Sequence, residues 1–214
     1  MKRSILLLLL ALSLLLVGCK DRLPAFAVDA DGNGYTNEET GVHYVALDFP
    51  YEAVGRGEAV GVYDHPKLDY SHVFYAIPDE DPTLFLTDDS MTVWYAGEVA
   101  IDAAEWELSA VIVCREDVVS VELFALTVGE EDAAIDEVQA LWFSGEEAEL
   151  PEGSAAVSRT VKLATDAYPG IYYSFYFYWY ESGEGYFFAP VSGRCVAVPD
   201  NLTEQFLPGE EAEK

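Results

Sequence analysis

The run Ile171-Tyr172-Tyr173-Ser174-Phe175-Tyr176-Phe177-Tyr178-Trp179-Tyr180 limits this chain more than any other stretch. Aromatic side chains lose rotamer freedom against the preceding turn of a helix and suit the pleated surface of a strand. In a strand, alternate residues face opposite ways. Tyr173, Phe175, Phe177 and Trp179 then form an apolar face, and Tyr172, Ser174, Tyr176, Tyr178 and Tyr180 form a face ending in hydroxyls. Glu181-Ser182-Gly183-Glu184-Gly185 turns the chain back into Tyr186-Phe187-Phe188, which makes a hairpin. A strand this apolar on one side needs a second layer over it, so the fold must be layered.

The rest of the chain has the same character. Period-two segments read as strands at 42–49, 58–63, 72–77, 83–86, 92–96, 107–114, 118–128, 157–164, 185–190 and 194–198. Between them lie turn sequences such as Gly55-Arg56-Gly57, Pro78-Asp79-Glu80-Asp81-Pro82 and Asp88-Asp89-Ser90. One segment differs. Glu130, Glu131 and Asp132 place acids at a helix start, and Ile135, Val138, Leu141 and Trp142 recur at helical spacing up to Gly145. The expected fold is mainly β, or α+β: an antiparallel sandwich or half-barrel of short strands with one packed helix near 131–143. Residues 35–207 read as a single domain, and 208–214 as an acidic solvated tail.

Charge excludes several functions. The 214 residues carry 11 Lys+Arg against 39 Asp+Glu, a formal net of −28, so phosphate backbones and anionic lipid surfaces are repelled and nucleic-acid binding is not expected. With 14% aromatic residues, the chain has enough apolar surface to fold rather than stay disordered.

The amino end is an address. Lys2 and Arg3 precede an apolar run from Ile5 to Val17, too short for a comfortable membrane span and suited to a secretory signal. Leu16-Val17-Gly18-Cys19 follows, and this run resembles the lipobox of bacterial lipoproteins. The resemblance covers the first twenty residues only. It implies a signal peptide over 1–18, cleavage before Cys19 and acylation of its thiol, with the protein at the extracytoplasmic side of the envelope. Removing Lys2 and Arg3 takes the mature charge to about −30. Residues 19–34 read as lipid anchor and tether, the stretch from residue 20 onward reaching about 45–50 Å when extended.

Three constellations are candidate sites. The hydroxyl face of the aromatic strand offers Tyr172, Tyr176, Tyr178 and Tyr180 as a platform for a sugar ring or a peptide, since Tyr gives large contact area at little entropy cost. The alternative is a cross-strand tyrosine ladder half covered by neighbours. Asp29, Asp31, Asn33 and Tyr35, with Gly34 at the sixth place, resemble the first half of a calcium loop, although Thr40 stands where the bidentate Glu belongs. The alternative there is a plain turn, with no cofactor. Once Cys19 is acylated, Cys114 and Cys195 remain as an even pair in an exported chain, either bridged or as two buried thiols.

No nucleophile elbow, P-loop or zinc-protease motif occurs. The expected function is a membrane-anchored, non-catalytic binding module for a glycan or protein ligand. A polysaccharide hydrolase working through paired carboxylates and a structural subunit of an envelope complex are the alternatives.

Overall fold

A computed structural model describes residues 22–47, 50–98, 100–115 and 121–207. Cys19, with the signal sequence before it, and the tail from 208 onward lie outside the described residues. In chain order the described strands are β1 (Phe26–Val28), β2 (Gly34–Asn37), β3 (His43–Ala46), β4 (Tyr51–Ala53), β5 (Ala59–Asp64), β6 (Ser71–Ala76), β7 (Phe85–Thr87) and β8 (Val93–Tyr95). They continue with β9 (Leu108–Arg115), β10 (Glu122–Thr127), β11 (Val157–Thr165), β12 (Ile171–Trp179), β13 (Gly185–Phe188) and β14 (Cys195–Val198). Helix α1 spans Asp132–Ser144 and α2 spans Asp200–Phe206. The architecture is mainly β, in two antiparallel sheets.

The first sheet runs β1-β2-β3-β8-β7-β6-β5 and nearly closes into a barrel. Its two edges meet through a parallel bridge between Ala25 and Val62, and the Val62 N–H donates to the Pro24 carbonyl at 2.9 Å. Phe26, Tyr44, Phe74, Leu86 and Trp94 fill the interior. Phe26 stacks on Phe74 with centroids 4.6 Å apart, and any side chain at Gly61 would run into the Phe26 ring.

The second sheet runs β10-β9-β11-β12-β13-β14, and β4 pairs with β12. Its apolar face is the alternation read from the sequence: Phe175 and Phe177 are fully buried, packed with Val113, Val161 and Leu163. Helix α1 starts where the acids predict, with the Asp132 carboxylate accepting the Gly129 N–H at 2.6 Å. Ile135, Val138 and Trp142 face the sheet, and the Trp142 ring stacks on Phe175 at 4.3 Å. Arg194 closes the far end of α1, donating to the carbonyls of Trp142 (2.7 Å) and Gly145 (3.2 Å), where the last helical carbonyls lack partners.

The sheets share one core, since Ile77, Phe85 and Val93 of the barrel region pack in the same cluster as Val113 and Phe175. This explains why β7, only three residues long, is buried throughout: Leu86 points into the barrel and Phe85 toward the second sheet.

Two expectations are corrected. The segment 19–34 is not all tether, because Phe26–Val28 forms a barrel strand that pairs with β2 from Phe26↔Asn37 to Val28↔Tyr35. The helix near 131–143 is joined by α2, which buries Leu202 and Phe206 against Phe177 and Phe187.

Asp88 holds the turn between β7 and β8. Its carboxylate accepts the N–H groups of Ser90 (2.8 Å) and Thr92 (3.2 Å) and the Trp94 indole N–H (3.0 Å), with His72 Nε2 at 3.3 Å. Burial pushes its pKa up, but His72, Trp94, Ser90 and Thr92 together hold it below the ordinary aspartate value. A depressed folded pKa stabilises above the unfolded value, and that stability is lost as pH falls through the folded one. Asp88→Asn should therefore cost about 2 kcal/mol at neutral pH, by facing an amide N–H toward the indole N–H. The difference from the unsubstituted chain should shrink below the aspartate range, as read from urea unfolding at the two pH values.

Candidate functional site

The helices cover one face of the second sheet, and the other face carries the hydroxyl row. Strand register makes its composition explicit. Glu122, Cys114, Thr160, Tyr176, Phe188 and Cys195 are successive cross-strand partners from β10 to β14. Alongside lies the row Ile112-Lys162-Ser174, and beyond it Tyr172 paired with Glu52 of β4. Directly paired residues project to the same side, so residues far apart in sequence converge here.

The convergence makes a pocket of about 250 Å³ at the seam between the sheets. Glu52, Glu122, Lys162, Cys114 and Tyr172 supply its polar groups, and Ala53, Val54, Met91 and Ile112 its apolar walls. Met91 reaches the pocket from the turn held by Asp88, in a left-handed conformation (φ 62°), and its carbonyl accepts the Ala53 N–H at 3.0 Å. A non-glycine residue in that region carries strain, which the surrounding hydrogen bonds must hold.

Lys162 Nζ lies 2.5 Å from Glu52 Oε1, with side chains 11% and 25% exposed. The contact is close but off the direction of a hydrogen bond, so this solvent-excluded oxygen has charge contact without an aligned donor. The ammonium also sits over the Tyr172 ring, 5.2 Å from its centroid. Burial raises the Tyr172 pKa, as do nearby Cys114, Glu122 and Glu52. Burial also pushes the Cys114 thiol up, only partly offset by Lys162, so the thiol stays protonated at neutral pH.

Of the four tyrosines read from the sequence, Tyr172 lines this pocket, and Tyr176 and Tyr178 continue the same face, their rings stacked at 6.0 Å and 14°. All three are half-buried. Beside them on the same face, Ser158, Thr160 and Ser174 hold side-chain hydroxyls that are shut from solvent and without a hydrogen-bond partner. Tyr180 meets this row only through Tyr178, which packs against its cluster. It lies past the end of β12, buried with Tyr186 and Cys195 under Ala148, Leu150 and Ala155. Trp179, assigned by alternation to the core, is half-buried and lines an open basin with Ser182, Glu184 and Glu204.

Asp29, Asp31, Asn33 and Tyr35 belong to the β1–β2 turn and the strand after it. Asp29 Oδ2 sits 2.7 Å from His43 Nε2, Asp31 accepts the Asn33 N–H at 3.3 Å, and the Tyr35 ring packs edge-on to Trp94 at 5.1 Å. Among the described residues, no group of three or more His, Cys, Asp or Glu side chains is placed to hold a metal ion. The cysteines take the second of their two readings. Cys114 and Cys195 are free, buried thiols. They share a face, but four strand spacings separate them, roughly 19 Å against a disulfide limit of about 7 Å between Cα atoms.

The Lys162–Glu52 contact gives a direct test. Lys162→Ala should destabilise by about 3 kcal/mol, because it strands a partly buried carboxylate. The double variant Lys162→Met/Glu52→Gln should recover most of that loss, as read from the midpoint of chemical unfolding. No family model matches this chain, and neither does any curated protein or solved structure.

Proposed function

We propose that this protein is an extracytoplasmic lipoprotein, held to a membrane through acylated Cys19, that works as a non-catalytic binding module. The observation that carries the binding reading is the face of the second sheet opposite α1 and α2. There the half-buried rings of Tyr172, Tyr176 and Tyr178 follow one another along β12, and the face ends in the seam pocket. Half-buried rings that offer a flat contact surface and end in phenolic hydroxyls suit a polyhydroxylated ligand, which stacks through its ring faces and hydrogen-bonds through its edges.

Anchoring rests on the charge, apolar run and Gly18-Cys19 of the amino end. Among the described residues, no helix is long and apolar enough to cross a membrane. Two or more acyl chains anchor a protein stably where one does not. The strongly negative body is repelled by anionic lipid within about a Debye length of 8–10 Å.

Two measurements test the proposal. Mass spectrometry of the membrane-extracted chain should find a diacylglycerol adduct on Cys19, and Cys19→Ser should release the protein from the membrane fraction. Pull-down of the detergent-solubilised full-length chain on a glycan and peptidoglycan panel should retain it. The Tyr176→Ala/Tyr178→Ala variant should lose that retention while still melting cooperatively; retention unchanged in this variant would discard the tyrosine face as the binding surface.

A further inference from the structure

Glu52 and Lys162 come from elements that meet only at the seam between the sheets. Glu52 sits on β4, which pairs with β12 over three residues and bridges to Thr92 of the barrel, and Lys162 sits midway along β11. Nζ approaches Glu52 Oε1 to 2.5 Å, closer than the ~2.7–2.9 Å of an aligned charge-assisted hydrogen bond and off its direction. That oxygen is closed to solvent, so water does not supply the missing donor. Around the contact lie Met91, Ile112, the Cys114 thiol and the Tyr172 ring, whose centroid is 5.2 Å from Nζ. Two charges are thus held out of water without the aligned hydrogen bond that would offset their desolvation. What the pair does have is proximity. A C–O bond is about 1.2 Å long, so the Glu52 carboxyl carbon lies within about 3.7 Å of Nζ, close to the ~3–3.5 Å from which a nucleophile attacks.

We propose that Lys162 and Glu52 condense to an amide, a covalent staple between β11 and β4. The ammonium gives one proton to the carboxylate, leaving a neutral amine and a carboxylic acid. Nζ then bonds to Cδ, the bond from Cδ to the protonated oxygen breaks, and that hydroxyl leaves as water with a second proton from Nζ. Two charges become none, and the step takes no oxidant, activated donor or metal. Two strands that fix amine and carboxyl together give an effective concentration on the order of 10⁵ M or more, which drives a condensation that free amine and acid do not undergo in water. Neutralising the pair also removes the desolvation cost it carries as ions. The pocket gives the departing water its way out. The unfolding comparison of Lys162 and Glu52 variants made above concerns the ionic state from which the bond forms. The amide closes a loop of about half the chain, from β5 through α1, and fastens the sheets where β4 supplies only three paired residues. No disulfide does this work, since Cys114 and Cys195 are both free.

Peptide mass spectrometry of the full-length chain, purified in non-ionic detergent and unfolded only for digestion, reads the bond directly. Where Lys162 is free, trypsin releases residues 23–56, which carry Glu52, separately from 160–162 and 163–194. Where it is bonded, its charge is gone and trypsin does not cut after it. Residues 23–56 and 160–194 should then appear as one joined species, lighter than their sum by one water, and this should be the main form. Lys162→Arg keeps a cation beside Glu52 but removes the nucleophile. It should give only the unjoined peptides while the chain still melts cooperatively. Unjoined peptides alone from the unsubstituted chain, even after incubation at neutral pH, would overturn the staple. A joined species that persists in Lys162→Arg would place the bond on other residues and overturn it as well.

Discussion

Strand β12 is the constraint on which the rest of the molecule turns. It hydrogen-bonds to β11 over most of its length, to β13 toward its carboxyl end and to β4 toward its amino end. Its alternate residues must therefore satisfy two unlike environments from a single backbone path. Phe175 and Phe177 close the core beneath α1 and α2, and Tyr172, Ser174 and Tyr176 build the opposite face. A slip of one residue would put the serine and tyrosine hydroxyls into the core and the phenylalanines outside, so the register is strongly fixed.

Strand β4 carries that register into the barrel. Glu52 pairs with Tyr172 on one side and forms an antiparallel bridge with Thr92 on the other. Three residues thus set the distance between the sheets and define the pocket wall from which the Glu52 carboxylate meets Lys162. Asp88 acts on the same place from the barrel side, because the turn it holds presents Met91. The buried carboxylate of one sheet and the polar face of the other are thereby parts of one mechanical unit.

How much of this was legible depended on range. Strand β12 and helix α1 were readable because their signals are local and long, ten alternating residues in one case and an acid-led apolar spacing in the other. Strand β1 was hidden, since three residues between Pro24 and an Asp/Gly-rich turn give no period to detect. Helix α2, seven residues after Pro199, is too short for a helical stripe. The pocket was not legible at all. Glu52, Glu122 and Lys162 look like ordinary strand charges, and they meet only through the order β10-β9-β11-β12 and the docking of β4, which local sequence does not encode. The cysteines show the same limit: parity left a bridge and two buried thiols equally open, and strand order decides between them by keeping the two apart.

The position of β1 bears on how the molecule carries load. Its hydrogen bonds to β2 run across the strand, and the Pro24 carbonyl is joined to β5 just ahead of it. A pull applied at the amino end and directed along β1 shears these bonds together, whereas peeling would break them one at a time. Tension arriving at Pro24 in that direction therefore passes to β2 and β5 together instead of opening the barrel one bond at a time.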